Sequence, residues 1–393
     1  MKPQIKMKQI VIIGGGMVGA ACAVGLAKLG YQIQLIEKSP PPHYQIKNPY
    51  DLRISAISQA SVELLQQLGA WPFVQQGRMF PYSELEVSEY HGESTSFSSE
   101  LFQLPQLGFM LENNLIQWAL WQTFQYYPNL QVNSNCQIKN MQYHDKHWFI
   151  HLDNNEEIKT PWVIAADGTN SQTRALSGIG VTGWQYRQEC LLVLIKTQKT
   201  LPPITWQQFF PSGPRALLPL CDQYACLVWY DDPIKIKQLK SLTKEELSLQ
   251  IKKSFPSRFS QFEIQNLASF PLKRQHAQQY VKNGMILIGD AAHSIHPMAG
   301  QGVNLGFKDV KRLIQVFSQI QKNRQDITTE ILIKNYQQKR RYDNLCMQSA
   351  MDICYKGFKE DILPLKILRN TVLMATDKIQ PLKKIVLKYA LGF

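Results

Sequence analysis

The sequence predicts an α/β protein in which a dinucleotide-binding domain is intertwined with an antiparallel-sheet domain and followed by C-terminal helices. The chain opens with a strand, a glycine turn, a helix and a second strand. Two later apolar strands end in an Asp-Gly and a Gly-Asp pair, and an aromatic-rich stretch lies between those two strands. The 393 residues exceed one ordinary core. We therefore expect a discontinuous Rossmann-like domain (1–77, 102–182 and 273–340), a second domain (78–101 and 183–272) and a C-terminal helical region (341–393).

The opening unit has the features of an ADP-binding βαβ motif. Ile10–Ile13 is a β-branched apolar run typical of a buried parallel strand, and Ala20–Leu29 favours a helix. Three glycines between them are spaced as G-x-G-x-x-G: Gly14, Gly16 and Gly19. This spacing allows a tight turn, approach of a pyrophosphate and close helix packing. A second strand, Ile33–Ile36, ends at Glu37, whose carboxylate can accept from an adenosine ribose. The unit predicts an ADP moiety and leaves open FAD or NAD.

Composition and charge restrict the classes of partner. Lys and Arg number 43 against 30 Asp and Glu, which gives a formal charge of +13 and suits an anionic partner. No nucleic-acid-binding motif is present, so we expect no nucleic acid partner. An acidic lipid surface and a simply solvated basic surface remain open. The seven cysteines form no C-x-x-C pair, which predicts reduced thiols and no metal site.

The sequence also bears on location. No apolar run reaches the roughly 18–20 residues that span a bilayer. The first residues, MKPQIKMKQ, lead directly into the first strand and leave no room for a signal peptide. We therefore expect a cytoplasmic protein, peripheral on the inner face of a membrane.

The segment after Glu37 contains a candidate phosphate ligand. A proline-rich loop leads to Arg53 and then to the predicted helix Gln59–Leu68. An arginine that enters a helix start can contact a phosphate together with the helix amides. We interpret Arg53 as a cofactor contact, with a surface ion pair as the alternative.

The middle of the chain predicts the second sheet. Residues 78–101 alternate between apolar and polar, and residues 183–272 carry short alternating runs rich in aromatic residues. These runs predict antiparallel strands interrupted by one helix, near Lys244–Ser254. At least half of the aromatic residues belong to the core, and the rest can line an apolar pocket. The elements predicted between the two stretches are a helix over Asn113–Tyr126 and strands around Val132 and Trp148–Leu152.

A second motif ends the apolar strand that begins at Trp162. Asp167 and Gly168 stand at the strand end, and Ser171 and Arg174 open the next helix. Open α/β sheets bind ligands at the carboxyl ends of their strands. The pattern indicates a cofactor contact at Asp167 and Gly168, and a plain strand-to-helix turn fits the spacing equally well.

A third motif follows the predicted strand Met285–Ile288. Asp290 can accept from sugar-like hydroxyls, and Gly302 lets the backbone approach a flat ring. Val303 and Asn304 open a helix, so we expect their amides to face the ligand with the positive helix end behind them. His293 and His296 lack Cys or Glu partners at metal-ligand spacing, so we expect no metal here.

The C-terminal part predicts further helices. Lys308–Ile320 continues the helix of the third motif, and Ile331–Asp352 forms another. Residues 361–393 mix apolar and basic residues, as in amphipathic helices that lie on anionic membranes or on a partner. Docking of this segment on its own domain is the alternative.

The three motifs, in this order, resemble those of FAD-dependent aromatic hydroxylases of the para-hydroxybenzoate hydroxylase fold. Within that group the chain is similar to the ubiquinone-biosynthesis hydroxylases nearly from end to end. The stretches that carry this similarity are RISAISQASVELL (53–65), WQQFFPSGPRALLPL (206–220), LVWYDDP (227–233), AGQGVNLGFKDV (299–310) and the ending KYALGF.

The resemblance implies a cofactor, a substrate and a reaction. It implies bound FAD, use of O2, NAD(P)H as electron donor, and hydroxylation of a prenylated quinol of the demethoxyubiquinol type through a flavin C4a-hydroperoxide. It adds Pro297 to the cofactor-binding residues. We expect the quinol ring to lie near His296 and Pro297 and against residues 206–230, and we assign no catalytic acid or base. A membrane surface and other ubiquinone-biosynthesis proteins are the expected partners.

Three alternatives remain open at this point. One is hydroxylation of another ring position in the same pathway. Another is a flavin-dependent reductase on the same scaffold, which would not consume O2 stoichiometrically. The third is a membrane-docked scaffold subunit that keeps FAD for structure.

Overall fold

The computed structural model describes residues 9–90, 94–256, 261–295 and 300–359. One hydrophobic core surrounds a six-stranded sheet of order β18-β19-β12-β1-β2-β8, in which β18 is antiparallel and the other strands are parallel. Strands are numbered along the chain, and those of this sheet are β1 (Gln9–Ile13), β2 (Gln32–Glu37), β8 (Leu130–Ser134), β12 (Trp162–Ala165), β18 (Val281–Lys282) and β19 (Met285–Leu287). The strands predicted before all three motifs are therefore confirmed.

In the described part of the chain, helices connect the strands. They are α1 (Met17–Lys28), α2 (Gln59–Gln67), α3 (Trp71–Val74), α4 (Asn113–Gln122), α5 (Gln172–Leu176), α6 (Pro233–Ser241), α7 (Lys244–Ser254), α8 (Gln301–Lys322), α9 (Thr329–Leu332) and α10 (Gln338–Lys359). α1 packs closely against α8, because a Cβ added to Gly25 would lie 2.2 Å from a side-chain carbon of Ile314. Small residues in α1 thus bring the first and third motifs together.

An eight-stranded sheet forms the second layer, in the order β20-β17-β13-β16-β15-β14-β5-β6. Its strands are β5 (Glu84–Glu89), β6 (Ser94–Ser98), β13 (Val181–Thr197), β14 (Ile204–Phe209), β15 (Arg215–Pro219), β16 (Tyr224–Asp231), β17 (Phe262–Ala277) and β20 (His293–Ser294). Its pairs are antiparallel except β5 with β14. Because residues alternate across the sheet, one face packs against α6 and α7 and the other forms a separate apolar cluster.

Two three-stranded sheets complete the described strands. One contains β9 (Ile138–His144), β10 (His147–Leu152) and β11 (Glu157–Thr160), and the other contains β3 (Ile54–Ser58), β4 (Met79–Tyr82) and β7 (Gly108–Glu112). The prediction that all strands of 78–101 join the second sheet is wrong for β4. This strand pairs with β7 instead, in the register Tyr82↔Gly108.

One more prediction needs correction. The second sheet is interrupted by two helices, not one, since α6 precedes α7. Asp232 caps α6 by accepting from the Ile234 amide at 2.8 Å, and Pro233 occupies the first turn. This capping signal is present in the sequence.

The C-terminal helix is also divided. The predicted helix Ile331–Asp352 comprises α9, a π-helical turn (Ile333–Gln337) and α10. The segment 361–393 lies outside the described residues. Within the described part of the chain, no helix combines the length and apolarity that crossing a bilayer requires. The predicted fold class, with a Rossmann-like domain, an antiparallel sheet and C-terminal helices, is confirmed, and the domain boundaries stay a prediction.

Candidate functional site

The turn after β1 contains two glycines that pack tightly against neighbouring backbone, Gly14 and Gly19, and one that does not, Gly16. Gly14 has φ of +100°, and its added Cβ would lie 2.5 Å from the Ala166 carbonyl oxygen. An added Cβ on Gly19 would lie 1.8 Å from the Gly14 carbonyl oxygen. Gly16, the N-cap of α1, has no protein atom within 4 Å of that position. Gly14 and Gly19 therefore hold the turn against its neighbours, while Gly16 offers bare backbone to a ligand.

Two side chains of α4 hold this turn in place. Gln117 Nε2 and Trp121 Nε1 both donate to the Gly15 carbonyl oxygen, at 3.0 and 2.8 Å. Glu37 accepts from the Gly15 amide and, at 2.8 Å, from the Ser39 amide. Gln117 and Trp121 are not among the residues predicted from the sequence. Their i, i+4 spacing shows a shared helix face, but nothing in the sequence places that face against the turn.

A cleft of about 520 Å³ joins the first and second motifs. We call it the nucleotide cleft, and its lining includes Gly14, Gly16, Glu37, Asp167 and Gly168. β1 lies between β2 and β12, so the carboxyl ends of these parallel strands meet at one sheet edge. Five predicted cofactor-binding residues thus line one cleft.

Asp167 is engaged in holding its own turn. Its carboxylate accepts from the Ser171 hydroxyl and, at 3.0 Å, from the Thr173 amide at the start of α5. Gly168 has φ of +80° and no protein atom near an added Cβ. The side chain of Asp167 therefore shapes the turn, and Gly168 leaves room for a ligand.

Arg174 connects the second motif to the third. Its guanidinium donates to the carbonyl oxygens of Ala291 and Thr169, at 2.9 and 3.2 Å. Burial lowers the pKa of Arg174, and the charge of Asp167 opposes that shift. The arginine thereby fixes the Gly-Asp turn relative to the Asp-Gly turn.

Asp290 lies in a short 3-10 helix, Gly289–Ala291, after β19. Its side chain is exposed on one side, and the Thr169 hydroxyl donates to its Oδ2 at 3.3 Å. The surrounding protein raises the pKa of Asp290 by desolvation, although the nearby His293 opposes this. The carboxylate is therefore placed to accept hydrogen bonds from a ligand in the adjoining space.

The first turn of α8 combines a left-handed glycine cap with an open glycine position. Gly300, the N-cap, has φ of +62°, and among the described residues no atom lies within 4 Å of a Cβ added to Gly302. The amides of Gly302 and Val303 have no partner within a regular helix that begins here. Backbone at Gly302 can therefore approach a ligand, with the positive end of α8 behind it.

Asn304 connects α8 to the neighbouring elements through its side chain. Its side chain is 2% exposed. It accepts from the Ser58 amide at 3.0 Å and the Ser61 hydroxyl at 2.8 Å, and donates to the Ala56 carbonyl oxygen at 2.8 Å. Asn304 thus fixes α8 against β3 and α2, and direct cofactor contact stays a prediction.

A buried carboxylate that the sequence analysis did not identify supports the third motif. Asp309, on α8, accepts from the Gly289 amide at 2.9 Å, His293 Nε2 at 2.6 Å and Arg340 Nε at 2.8 Å. Burial raises the pKa of Asp309, but the charges and hydrogen bonds of His293 and Arg340 outweigh it and lower the pKa to about 2. The carboxylate is therefore ionised and holds the turn that carries Asp290.

A second space lies between the eight-stranded sheet and the β3–β7–β4 sheet. We call it the apolar cavity. It has a volume of about 380 Å³ and is lined largely by apolar residues of both sheets, and it opens on Asp290, Gly302 and Val303. Arg53 also lines it, with a side chain 73% exposed and 3.9 Å from Asp51. The structure thus places Arg53 at the apolar cavity, away from the lining of the nucleotide cleft. His296 and Pro297 lie outside the described residues.

A groove connects the two spaces. It is lined by Asn170, which also lines the nucleotide cleft, and by Asp290 and Gly302, which also line the apolar cavity. The nucleotide cleft, the groove and the apolar cavity are therefore adjacent, and Gly16, Gly168 and Gly302 border them with backbone only. This path suits an elongated dinucleotide whose phosphates meet helix N-termini and whose flat ring ends in apolar surroundings. The residues present therefore fit FAD.

Comparisons with known proteins agree with this geometry. The FAD binding domain family matches residues 7–343. The chain is 44% identical to 3-demethoxyubiquinol 3-hydroxylase of Escherichia coli (strain K12), over 98% of each chain. It is 32% identical to the mitochondrial ubiquinone biosynthesis monooxygenase COQ6 of Danio rerio, over 97% of this chain and 89% of that protein.

A solved structure supports the fold. The p-nitrophenol 4-monooxygenase PnpA of Pseudomonas putida DLL-E4 superposes with a TM-score of 0.80 at 17% identity, over 98% of this chain and 99% of that chain. From the family match and the identity over nearly the whole length, this chain belongs to the FAD-dependent hydroxylases that include the ubiquinone-biosynthesis enzymes.

Proposed function

We propose that this protein hydroxylates the ring of a prenylated benzoquinol of the demethoxyubiquinol type, with FAD as cofactor and O2 as the oxygen source. The observation that carries the proposal is the apolar cavity, because it can hold an aromatic ring next to Asp290 and Gly302 of the cofactor motif. The identity of 44% to an enzyme named 3-demethoxyubiquinol 3-hydroxylase supports the substrate class and the ring position.

FAD, when bound, supplies the activation of O2 for transfer of one oxygen atom to an electron-rich ring. The residues of this chain bind the cofactor, orient the substrate ring and keep water away from it. Gly16, Gly168 and Gly302 allow the cofactor to approach the backbone, and Asp290 accepts from its hydroxyls. The amides at the start of α8 favour negative charge at the near edge of the flavin ring. Apolar side chains of the cavity exclude water from the reacting ring.

We further propose NAD(P)H as the electron donor and a membrane surface as the place where the substrate is met. A prenylated quinol partitions into lipid, and the formal charge of +13 suits an anionic surface. The basic segment 361–393 supports this by its sequence alone. Contacts with other ubiquinone-biosynthesis proteins belong to the same proposal.

The test is turnover of a short-chain demethoxy-quinol by the purified, FAD-loaded full-length protein with NAD(P)H under ¹⁸O-labelled O2. We expect one labelled oxygen in the ring, at the position that mass spectrometry and NMR of the product identify. The cofactor-site variant Gly302→Val serves as the control for non-enzymatic oxidation.

Each other outcome contradicts a defined part of the proposal. Label at a different ring carbon would assign another hydroxylation step. Reduction of a quinone or a double bond without label would indicate a reductase. Bound FAD without turnover, with any donor or quinol offered, would favour a scaffold subunit.

A further inference from the structure

Tyr82 is a buried phenol at the wall of the apolar cavity. It ends β4 opposite Gly108 of β7, where an added Cβ would lie 3.1 Å from the Tyr82 hydroxyl oxygen. The residue is 7% exposed and packs in the apolar cluster shared by the two sheets. The absence of a side chain at Gly108 therefore leaves room for the hydroxyl of a tyrosine that lines the cavity.

The hydroxyl of Tyr82 differs from those of the other buried tyrosines. Tyr50 donates to the Cys221 carbonyl oxygen at 3.1 Å, Tyr44 to Glu112 at 2.8 Å and Tyr336 to the Leu287 carbonyl oxygen at 2.8 Å. Among the described residues Tyr82 has no hydrogen-bond partner, and burial by itself raises its pKa. The hydroxyl oxygen is not one of the fully enclosed unpaired atoms, so it keeps accessible surface, and the residue lines the cavity, where a ligand can complete it.

The other hydroxyls among the described residues of the cavity wall already have partners, and that of Tyr230 is hydrogen-bonded with Cys190. Ser55 donates to Asn113 Oδ1 at 2.6 Å, and Thr205 donates to the Leu217 carbonyl oxygen at 2.8 Å. The side-chain NH2 group of Asn113 can still donate, but Asn113 is only half-buried, whereas Tyr82 is buried. Because burial raises its pKa, Tyr82 stays a neutral phenol and can donate at any physiological pH.

We propose that Tyr82 is a substrate-positioning residue whose hydroxyl donates a hydrogen bond to a ring oxygen of the quinol. This rests on the proposed function. Apolar walls hold a flat ring without fixing its rotation, since dispersion and burial are non-directional. A single directional donor selects one rotation and therefore the ring carbon that faces the cofactor motif. Tyr82 thus determines regiospecificity and does not take part in the chemistry.

The test compares Tyr82→Phe with Tyr50→Phe in the FAD-loaded full-length protein. Tyr50 belongs to the same cluster, but its hydroxyl is bonded to the backbone and it does not line the cavity. The measurements are the Kd of a short-chain demethoxy-quinol from its perturbation of the flavin spectrum, KM and kcat, the fraction of O2 that reaches the product instead of peroxide, and Tm.

We expect Tyr82→Phe to raise Kd and KM about 2- to 13-fold, the range for one neutral hydrogen bond. It should also divert O2 to peroxide and spread hydroxylation over more ring positions, without lowering Tm. Tyr50→Phe should lower Tm and leave Kd and coupling unchanged. A matched analogue with the ring oxygens replaced by alkyl groups should bind the wild type and Tyr82→Phe equally.

Two results overturn separate claims. Wild-type hydroxylation of the quinol together with unchanged Kd, coupling and product pattern in Tyr82→Phe would overturn the role of Tyr82 alone. A wild type that binds the quinol but never hydroxylates it, with Kd raised in Tyr82→Phe, would support the contact and overturn the proposed function.

Discussion

Replacement of Asp309 by asparagine tests whether the buried carboxylate holds the cofactor motif. Asp309 is 0% exposed and accepts hydrogen bonds from the Gly289 amide, His293 and Arg340. Asparagine keeps the shape of the side chain and removes the charge. Arg340, which is 4% exposed, would then lose its buried counter-ion and keep the exposed Asp343.

The magnitude follows from two independent arguments. The pKa of Asp309 is lowered from 3.8 to about 2, which favours the ionised form in the folded protein by about 2 kcal/mol. Removal of one partner of a buried ion pair costs about 3–5 kcal/mol. We therefore expect Asp309→Asn to reduce the free energy of unfolding by about 2–4 kcal/mol. An unfolding entropy of about 2.1 cal/mol/K per residue gives about 0.8 kcal/mol/K for 393 residues, so Tm should fall by about 3–5 °C.

The assay is thermal unfolding followed by circular dichroism, with excess FAD so that cofactor loss does not dominate. Asp343→Asn is the matched control, because Asp343 pairs with the same arginine at 2.9 Å but is 56% exposed. That pair should contribute about 0–1 kcal/mol, or about 1 °C. FAD affinity, measured by titration of the apoprotein, should fall in Asp309→Asn and not in the control. Equal effects of the two substitutions on Tm and FAD affinity would refute the argument.

The remaining predictions concern the cofactor site and pH. Gly302→Val should abolish FAD binding without lowering apoprotein Tm, since an added Cβ meets no atom of the described residues within 4 Å. Gly19→Ala should lower Tm, because its Cβ would lie 1.8 Å from the Gly14 carbonyl oxygen. Flavin fluorescence titration and thermal unfolding of both variants check this, and an apoprotein of Gly302→Val that binds FAD normally would contradict it. Asp290→Ala should purify without flavin absorbance and with an unchanged fold, and a fully yellow variant would count against its role. Burial and nearby positive groups lower the pKa of His276 from 6.5 to about 4. Between pH 4 and 6.5 the unfolded state therefore binds more protons than the folded state, so the free energy of unfolding should fall by about 2 kcal/mol from pH 7 to pH 5. Urea unfolding of the wild type and of His276→Gln, which should show a flatter profile, tests this.

The strands and helices that carry the motifs were predictable because their signals are local. β1, β2 and α7 match the expected elements within one or two residues, since apolar periodicity, glycine spacing and capping act over a few positions. The second helix in the antiparallel domain was missed despite its Asp232 cap and Pro233. β4 was assigned to the wrong sheet, because alternation predicts a strand but not its partner.

The sequence by itself determined the cofactor class and the order of the three motifs. Glycines at fixed spacing and acids at strand ends reflect local requirements of the backbone, which can be recognised from the sequence. The tertiary structure decided which contacts these residues make within the protein. Gly14, Gly19, Asp167 and Asn304 hold turns and helices together, Gly14 and Asp167 also line the nucleotide cleft with Gly16 and Gly168, and Asp290 and Gly302 line the apolar cavity. It also brought Gln117, Tyr82, Asp309 and Arg340 to the site from distant elements. Such contacts depend on how sheets and helices pack, and packing joins residues whose separation in sequence carries no signal.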